Sequence, residues 1–129
     1  MTFRFARHTN NLEKIKSFYI DILGLELIGG FENHNGYDGI FIGKPNENWH
    51  LEFTKSKKII TFNFNDDDIL VFYPSSKLEF ELIIKKLETH KIEFIEAKNP
   101  YWNDPEISGG KMIHDPDGYK IVISHLKIF

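Results

Sequence analysis

Hydrophobic and polar residues alternate along the start of the chain with two different periods. Residues 3–8, FRFARH, alternate one by one, which is the period of a β-strand with one buried face. The next apolar residues recur every three or four positions, as on one face of a helix: Leu12, Ile15, Phe18, Tyr19 and Ile22. Asn10 or Asn11 can cap this helix and Gly24 can end it, because glycine adopts the left-handed cap conformation at little cost. The pattern predicts a strand followed by a helix.

Three more strands are predicted in this half of the chain, each bounded by glycine or by a polar turn. The first covers residues 25–30 and ends at its two glycines, the second covers residues 40–42, and the third covers residues 49–54, WHLEFT. Residues 31–39, FENHNGYDG, are expected to form a polar loop between the first two. The predicted order of elements is βαβββ.

The second half repeats this order. An acidic strand, DDDILVFY at residues 66–73, precedes a helix whose start carries the capping-box spacing of Ser76 and Glu79. The buried stripe of that helix is Phe80, Ile83, Ile84 and Leu87. Further strands are predicted at residues 92–95, 111–114 and 119–124, the last two joined by a tight turn, DPDG.

The two halves can be aligned with each other. Residues 49–54 fall over residues 119–124, so the chain is predicted to be a duplicated βαβββ unit. Residues 55–67 form a connector, within which residues 59–64 can pair briefly as a strand.

The composition excludes several kinds of functional site and partner. The 129 residues include no cysteine, which excludes disulfides, cysteine-type zinc sites and thiol nucleophiles. The net charge of −3 gives no reason to expect a nucleic-acid partner. A signal-peptide pattern and a membrane-length apolar run are both absent from the sequence, so we expect a cytoplasmic protein with no membrane partner. The 12 phenylalanines indicate either a phenylalanine-packed core or a pocket lined with rings.

Two segments resemble the vicinal oxygen chelate superfamily, which includes glyoxalases, bleomycin resistance proteins and extradiol dioxygenases. SFYIDILGLEL at residues 17–27 resembles its first helix and second strand, and HDPDGYKIVIS at residues 114–124 resembles its closing hairpin. The resemblance implies an α+β fold in which two βαβββ modules form a cupped, open eight-stranded barrel. One glyoxalase-like domain would then span residues 1–129, with modules at about 3–54 and 68–125. It also implies a small-molecule ligand and a homodimer.

The family's activities include lyase, isomerase and dioxygenase reactions, and also metal-free sequestration of a ligand. In metal-dependent members the ligands lie on the first and fourth strands of each half. Here the resemblance places those positions at Arg4, Glu52, Asp68 and Val122. Arginine has no lone pair to give and valine offers only hydrocarbon, so we predict no cofactor and disfavour a divalent metal.

Strand alternation assigns candidate roles to the residues that line the cup. His50, Glu52 and His8 are the candidate acid–base residues, and the same three form the fallback ligand set if a displaced metal binds. The candidate ligand-binding residues are Arg4, Phe72, Tyr101, Trp102 and Ser124. Three functions stay open: a metal-independent enzyme or binder, a metal-dependent lyase or dioxygenase, and a non-catalytic sequestering protein.

Overall fold

The computed structural model describes residues 1–126, which fall into two compact units, Met1–Thr61 and a second that begins at Phe62. The elements of the first unit are β1 (Phe3–His8), α1 (Leu12–Lys16) with a π-helical continuation (Ser17–Ile22), β2 (Glu26–His34), β3 (Tyr37–Gly43) and β4 (Trp49–Lys55). Its sheet has the order β1-β4-β3-β2, with β1 parallel to β4 and the other pairs antiparallel.

The first helix begins and ends as predicted. Asn11 is its N-cap, and the side-chain oxygen accepts a hydrogen bond from the backbone N–H of Lys14 at 3.0 Å. Gly24 follows the π-helical segment with φ of 79°, in the left-handed region. Tyr19 is fully buried and its ring lies 4.9 Å from that of Phe53 in β4, so the helix packs on one face of the sheet.

The predicted polar loop at residues 31–39 is wrong, because this segment is a continuous β-hairpin. β2 runs to His34 and β3 starts at Tyr37, and these two residues pair with each other. Between them Asn35 and Gly36 have φ of 52° and 89°. Two consecutive positive φ angles define the type I′ turn that the twist of a hairpin favours, and Asn-Gly is the sequence that forms it most readily.

The second unit has the same plan with fewer strands. It contains β5 (Ile69–Phe72), α2 (Lys77–Thr89), a 3₁₀-helix (Pro100–Asn103), β6 (Gly110–His114) and β7 (Lys120–Ser124). The sheet order is β5-β7-β6, with β5 parallel to β7. The Ser76 side chain caps α2 by accepting from the N–H of Glu79 at 3.1 Å, as the capping-box spacing predicts.

The strand predicted at residues 92–95 is reduced to a single bridge between Ile95 and Met112. Beyond this bridge, the side-chain amide of Asn103 bonds both backbone groups of Ala97, at 2.8 and 2.9 Å, so the chain does not continue as a strand there. Residues 66–68 and 59–64 are not strands either. Within residues 1–126 the predicted eight strands are therefore seven strands and one bridge, while the α+β class and the repeated plan are confirmed. No helix in that same stretch is long and apolar enough to cross a membrane.

Candidate functional site

The sheet of the first unit has one covered face and one that is partly exposed, which we call the open face. Residues on the covered face, such as Leu51 and Phe53, are buried. The open face carries three consecutive pairs across β1 and β4: Arg4 with His50, Ala6 with Glu52, and His8 with Thr54. Strand alternation thus brings together four of the predicted site residues, Arg4, His8, His50 and Glu52.

Arg4 forms the centre of this group. Its Nε–H donates to Nε2 of His50 at 2.8 Å, and its Nη1 lies 3.5 Å from Oε1 of Glu52. The guanidinium also lies over the ring of Phe41, 4.9 Å from its centroid. Arginine only donates, so Nε2 of His50 must accept, which assigns the ring proton of neutral His50 to Nδ1.

Phe31 and Phe41 extend the open face across β3 and β2. The ring centroids of Phe41 and His50 are 5.8 Å apart, and those of Phe31 and Phe41 are 6.0 Å apart. Each phenylalanine lies against a glycine of the neighbouring strand, Phe41 against Gly29 and Phe31 against Gly39. A side chain at either glycine would occupy the space of the ring, so both rings lie close to the backbone of the sheet.

His8 occupies the other end of the β1–β4 pair. Its Nδ1 is 3.0 Å from Oγ1 of Thr54, and its ring meets that of Tyr37 edge to face at 6.2 Å. Nε2 of His8 is shielded from solvent and has no hydrogen-bond partner among residues 1–126. His8 therefore lies on the same face as Arg4 but at the opposite end of the strand pair, where it contacts Thr54 and Tyr37.

The second unit places its predicted site residues differently. Phe72 was expected on the same face as Val122, but Phe72 pairs with Ile123 while Val71 pairs with Val122, so that expectation is wrong by one residue. Ser124 is fully buried, and its hydroxyl donates to the carbonyl of Ser108.

Tyr101 and Trp102 lie in the 3₁₀-helix with their rings 4.8 Å apart. Trp102 packs against the buried cluster of Ala97, Met112 and Val122, so its ring closes the apolar side of the second sheet. Burial raises the pKa of the neighbouring Tyr73 hydroxyl, and Tyr101 raises it further. The ligand-binding role predicted for Tyr101 and Trp102 stays a prediction.

The residues at the family's metal positions do not fit a divalent cation. Arg4 of β1 pairs with His50 of β4. When residues 119–124 are aligned with residues 49–54, Lys120 is the counterpart of His50, and Lys120 pairs with Ile69 of β5. Ile69, rather than Asp68, is therefore the counterpart of Arg4. The four positions then hold Arg4, Glu52, Ile69 and Val122, of which only the carboxylate can bind a metal.

The fallback set of Glu52, His50 and His8 fits no better. The Arg4 guanidinium already contacts both His50 and Glu52, so a metal ion bound to these two would have to displace a permanent cation. Across residues 1–126 the structure holds no group of three or more histidine, cysteine, aspartate or glutamate side chains arranged to hold a metal ion.

Phe31 and Phe41 were not identified as site residues from the sequence. Phe31 fell inside the segment assigned to a loop, which removed it from the strand alternation. The Asn35-Gly36 dipeptide was the signal that places both rings on paired strands.

The chain matches models of two domains, the YycE-like N-terminal domain over residues 3–54 and the YycE-like C-terminal domain over residues 67–125. It is 41% identical over 125 residues to the YycE protein of Bacillus subtilis (strain 168), covering 96% of this chain and 87% of that protein. A 2.0 Å crystal structure of a YycE protein of unknown function from Bacillus subtilis has a TM-score of 0.84 and 38% identity, covering 99% of this chain and 91% of that chain.

More distant structures share the fold. Glyoxalase I of Leishmania major, described as trypanothione-dependent, has a TM-score of 0.74 at 15% identity, covering 96% of this chain and 85% of that chain. TnmS3, an antibiotic binding protein from Streptomyces sp. CB03234, has a TM-score of 0.67 at 18% identity, covering 96% and 93% of the two chains. At these identities the likeness shows the fold alone, which is that of the glyoxalases and resistance proteins. With both halves matched, the chain belongs to the YycE-like family of the vicinal oxygen chelate superfamily.

Proposed function

We propose that this protein binds a small organic molecule on the open face of its first sheet without the help of a metal ion. The observation that carries the proposal is the Arg4 guanidinium, which bonds His50 at 2.8 Å and lies 3.5 Å from Glu52. A fixed cation on the protein itself thus neutralises Glu52, as a bound metal does in chelating members of the superfamily.

Binding without turnover is the better-supported form of this function. A general base needs a free lone pair, and the lone pair of neutral His50 is engaged by Arg4. Glu52 is mostly buried, and its Oε1 lies 3.5 Å from Nη1 of the same guanidinium, so its carboxylate is engaged in the ion pair. A metal-dependent lyase or dioxygenase with a displaced ligand set has no observation in its favour.

The test uses protein produced without a histidine tag, dialysed, and analysed for metal content. A mixture of neutral and charged aromatic fragments is then screened by ¹⁵N NMR in the presence of EDTA. We expect metal far below one equivalent and fragment-induced shifts at the amides of β1, β3 and β4.

Arg4→Ala should weaken the fragment response, whereas Lys14→Ala, which removes an exposed cation from the helix, should not. Stoichiometric zinc, nickel, manganese or iron that survives dialysis would overturn the proposal. So would fragment binding that EDTA abolishes.

A homodimer remains part of the proposal. It is supported by β2, an edge strand of the first sheet on which Leu27 and Ile28 are 51% and 42% exposed. Light scattering at micromolar concentration should give twice the mass of one chain, and a monomer at all concentrations would contradict it.

A further inference from the structure

We infer that the ligand of the open face is an uncharged, planar aromatic molecule that carries a hydrogen-bond acceptor such as a carbonyl. This inference rests on the proposed function and names the class of ligand for the same face. Three properties of the described residues carry it: the rings, the charge balance and the free donors of Arg4.

The rings provide an aromatic surface of inclined planes: those of Phe31 and Phe41 lie at 52° to each other, and those of Phe41 and His50 at 68°. Phe31, Phe41 and His50 are each partly exposed, and their centroids follow one another at 6.0 and 5.8 Å. Because Phe31 and Phe41 lie directly against glycine backbone, they form a shallow surface close to the sheet rather than a deep pocket. Aromatic rings pair in offset or edge-to-face geometry at centroid distances of about 4.5–7 Å. Inclined rings therefore offer a planar aromatic ligand one ring to stack on and another to contact edge to face.

The charge of Arg4 is balanced by a neighbouring carboxylate. Arg4 and Glu52 form an ion pair, and the hydrogen bond from Arg4 requires a neutral His50 acceptor. An anionic ligand at the guanidinium would lie beside the Glu52 carboxylate, and a cationic ligand would compete with Arg4 for that carboxylate. An uncharged ligand keeps the existing pair intact, so it avoids both the repulsion and the loss of a partner.

Arg4 can still donate hydrogen bonds. Its guanidinium has five N–H donors. Nε–H bonds His50 and Nη1 faces Glu52 at 3.5 Å, and the side chain is 49% exposed, so terminal N–H groups remain to donate. A ligand carbonyl that accepts from a terminal N–H would fix the orientation of a ring stacked beside Phe41. This combination of apolar surface with one placed donor is typical of small-molecule sites.

Four matched probes test the inference: naphthamide, naphthoate, naphthylmethylammonium, and the non-aromatic cyclohexanecarboxamide. Each is titrated into full-length protein in EDTA, and Kd is taken from ¹⁵N shifts at open-face amides. We expect naphthamide to bind about tenfold more tightly than either charged naphthalene and than cyclohexanecarboxamide, which corresponds to about 1.4 kcal/mol.

Substitutions at Phe41 and at a control position distinguish the loss of a ligand-contacting ring from general destabilisation of the protein. Phe41→Leu should weaken naphthamide about tenfold, and Phe41→Tyr, which keeps the ring, should retain most of the affinity. The matched control is Phe94→Leu, because Phe94 is a part-buried ring of the second unit that also lies near a cation, 5.7 Å from Nζ of Lys111. Phe94→Leu should leave the naphthamide Kd unchanged.

The failures are distinguishable. Naphthoate or naphthylmethylammonium binding more tightly than naphthamide, or an equal effect of Phe41→Leu and Phe94→Leu, would overturn the ligand class and leave the proposed function standing. Chemical shift changes confined to other surfaces, or none with any probe, would also overturn the proposed ligand class. Binding of the probes only after zinc or manganese is added would overturn the proposed function itself.

Discussion

Arg4 and His50 are Cα partners across the parallel pair β1–β4, and the arginine Nε–H donates to the imidazole Nε2 at 2.8 Å. The hydrogen bond joins a group that is protonated at every physiological pH to one that must be neutral to accept it. The pair therefore gives the open face a fixed cation and a single histidine tautomer. Glu52, two positions further along β4, balances that cation.

The Arg4–Glu52 pair should contribute a small, measurable coupling to stability. Arg4 is 49% exposed and Glu52 14%, so water screens the pair and the coupling is expected to be about 0.5–1 kcal/mol. This is well below the roughly 3–5 kcal/mol for breaking a fully buried pair. Urea unfolding of Arg4→Leu, Glu52→Leu and the double variant gives the coupling as the departure from additivity.

The control for that cycle is the exposed helix pair Glu13–Lys16, with Nζ to Oε1 at 3.3 Å, whose coupling should be smaller. Strictly additive changes at Arg4 and Glu52 would mean that the two side chains do not interact in solution.

Arg4→His should give the open face weak affinity for zinc. The substitution removes the guanidinium and places a third donor beside His50 and Glu52, while Ile69 and Val122 supply no fourth ligand. Calorimetric titration with zinc should therefore give binding far weaker than the roughly 10–16 kcal/mol of structural zinc sites. Adding Glu52→Gln should remove it. Zinc binding to the unmodified protein as tight as to Arg4→His would contradict the prediction.

Gly39→Ala should destabilise the protein, although alanine is usually more stable than glycine inside a strand. A Cβ at Gly39 would overlap the Phe31 ring, and such overpacking costs about 1–3 kcal/mol. In a Phe31→Ala background the same change should instead stabilise by about 0.5–1 kcal/mol, because the space is then free. Urea unfolding of the four proteins checks the reversal of sign, and an equal effect in both backgrounds would place the ring elsewhere.

Asp66→Asn should lower the free energy of unfolding more at neutral pH than in acid. The hydrogen bond and the charge of Lys120, whose Nζ lies 2.9 Å from Oδ1, hold the pKa of Asp66 below its ordinary value. A lowered folded-state pKa contributes stability that is present above the ordinary value and is lost as pH falls through the lowered one.

The difference in unfolding free energy between wild type and Asp66→Asn should therefore shrink as pH falls from about 6 to about 3. The matched control is Asp68→Asn, which removes an exposed carboxylate of the same segment and leaves the bond to Lys120 intact. A difference that does not change with pH would show that the ion pair adds nothing in solution.

Local signals predicted most of the elements. The alternation in residues 3–8 and 49–54 gave β1 and β4, and the Asn11 and Ser76 caps fixed where the helices begin. The loop predicted at residues 31–39 is wrong because Asn35-Gly36 forms a tight hairpin turn, which lets the polar residues around it pair as strands. The strand predicted at residues 92–95 keeps only the bridge of Ile95 to Met112, because strand pairing depends on a partner distant in sequence.

The sequence by itself determined the duplicated βαβββ order, the family and the unsuitability of Arg4 and Val122 as metal ligands, because period, caps and donor chemistry are properties of neighbouring residues or of single side chains. The tertiary structure decided that Arg4 bonds His50 as well as Glu52, that Ile69 replaces Asp68 in the register, and that Phe31 and Phe41 cover two glycines. These facts depend on which residues of separate strands are paired. A shift of one residue moves every side chain to the other face, and pairing is set by the packing of the whole sheet.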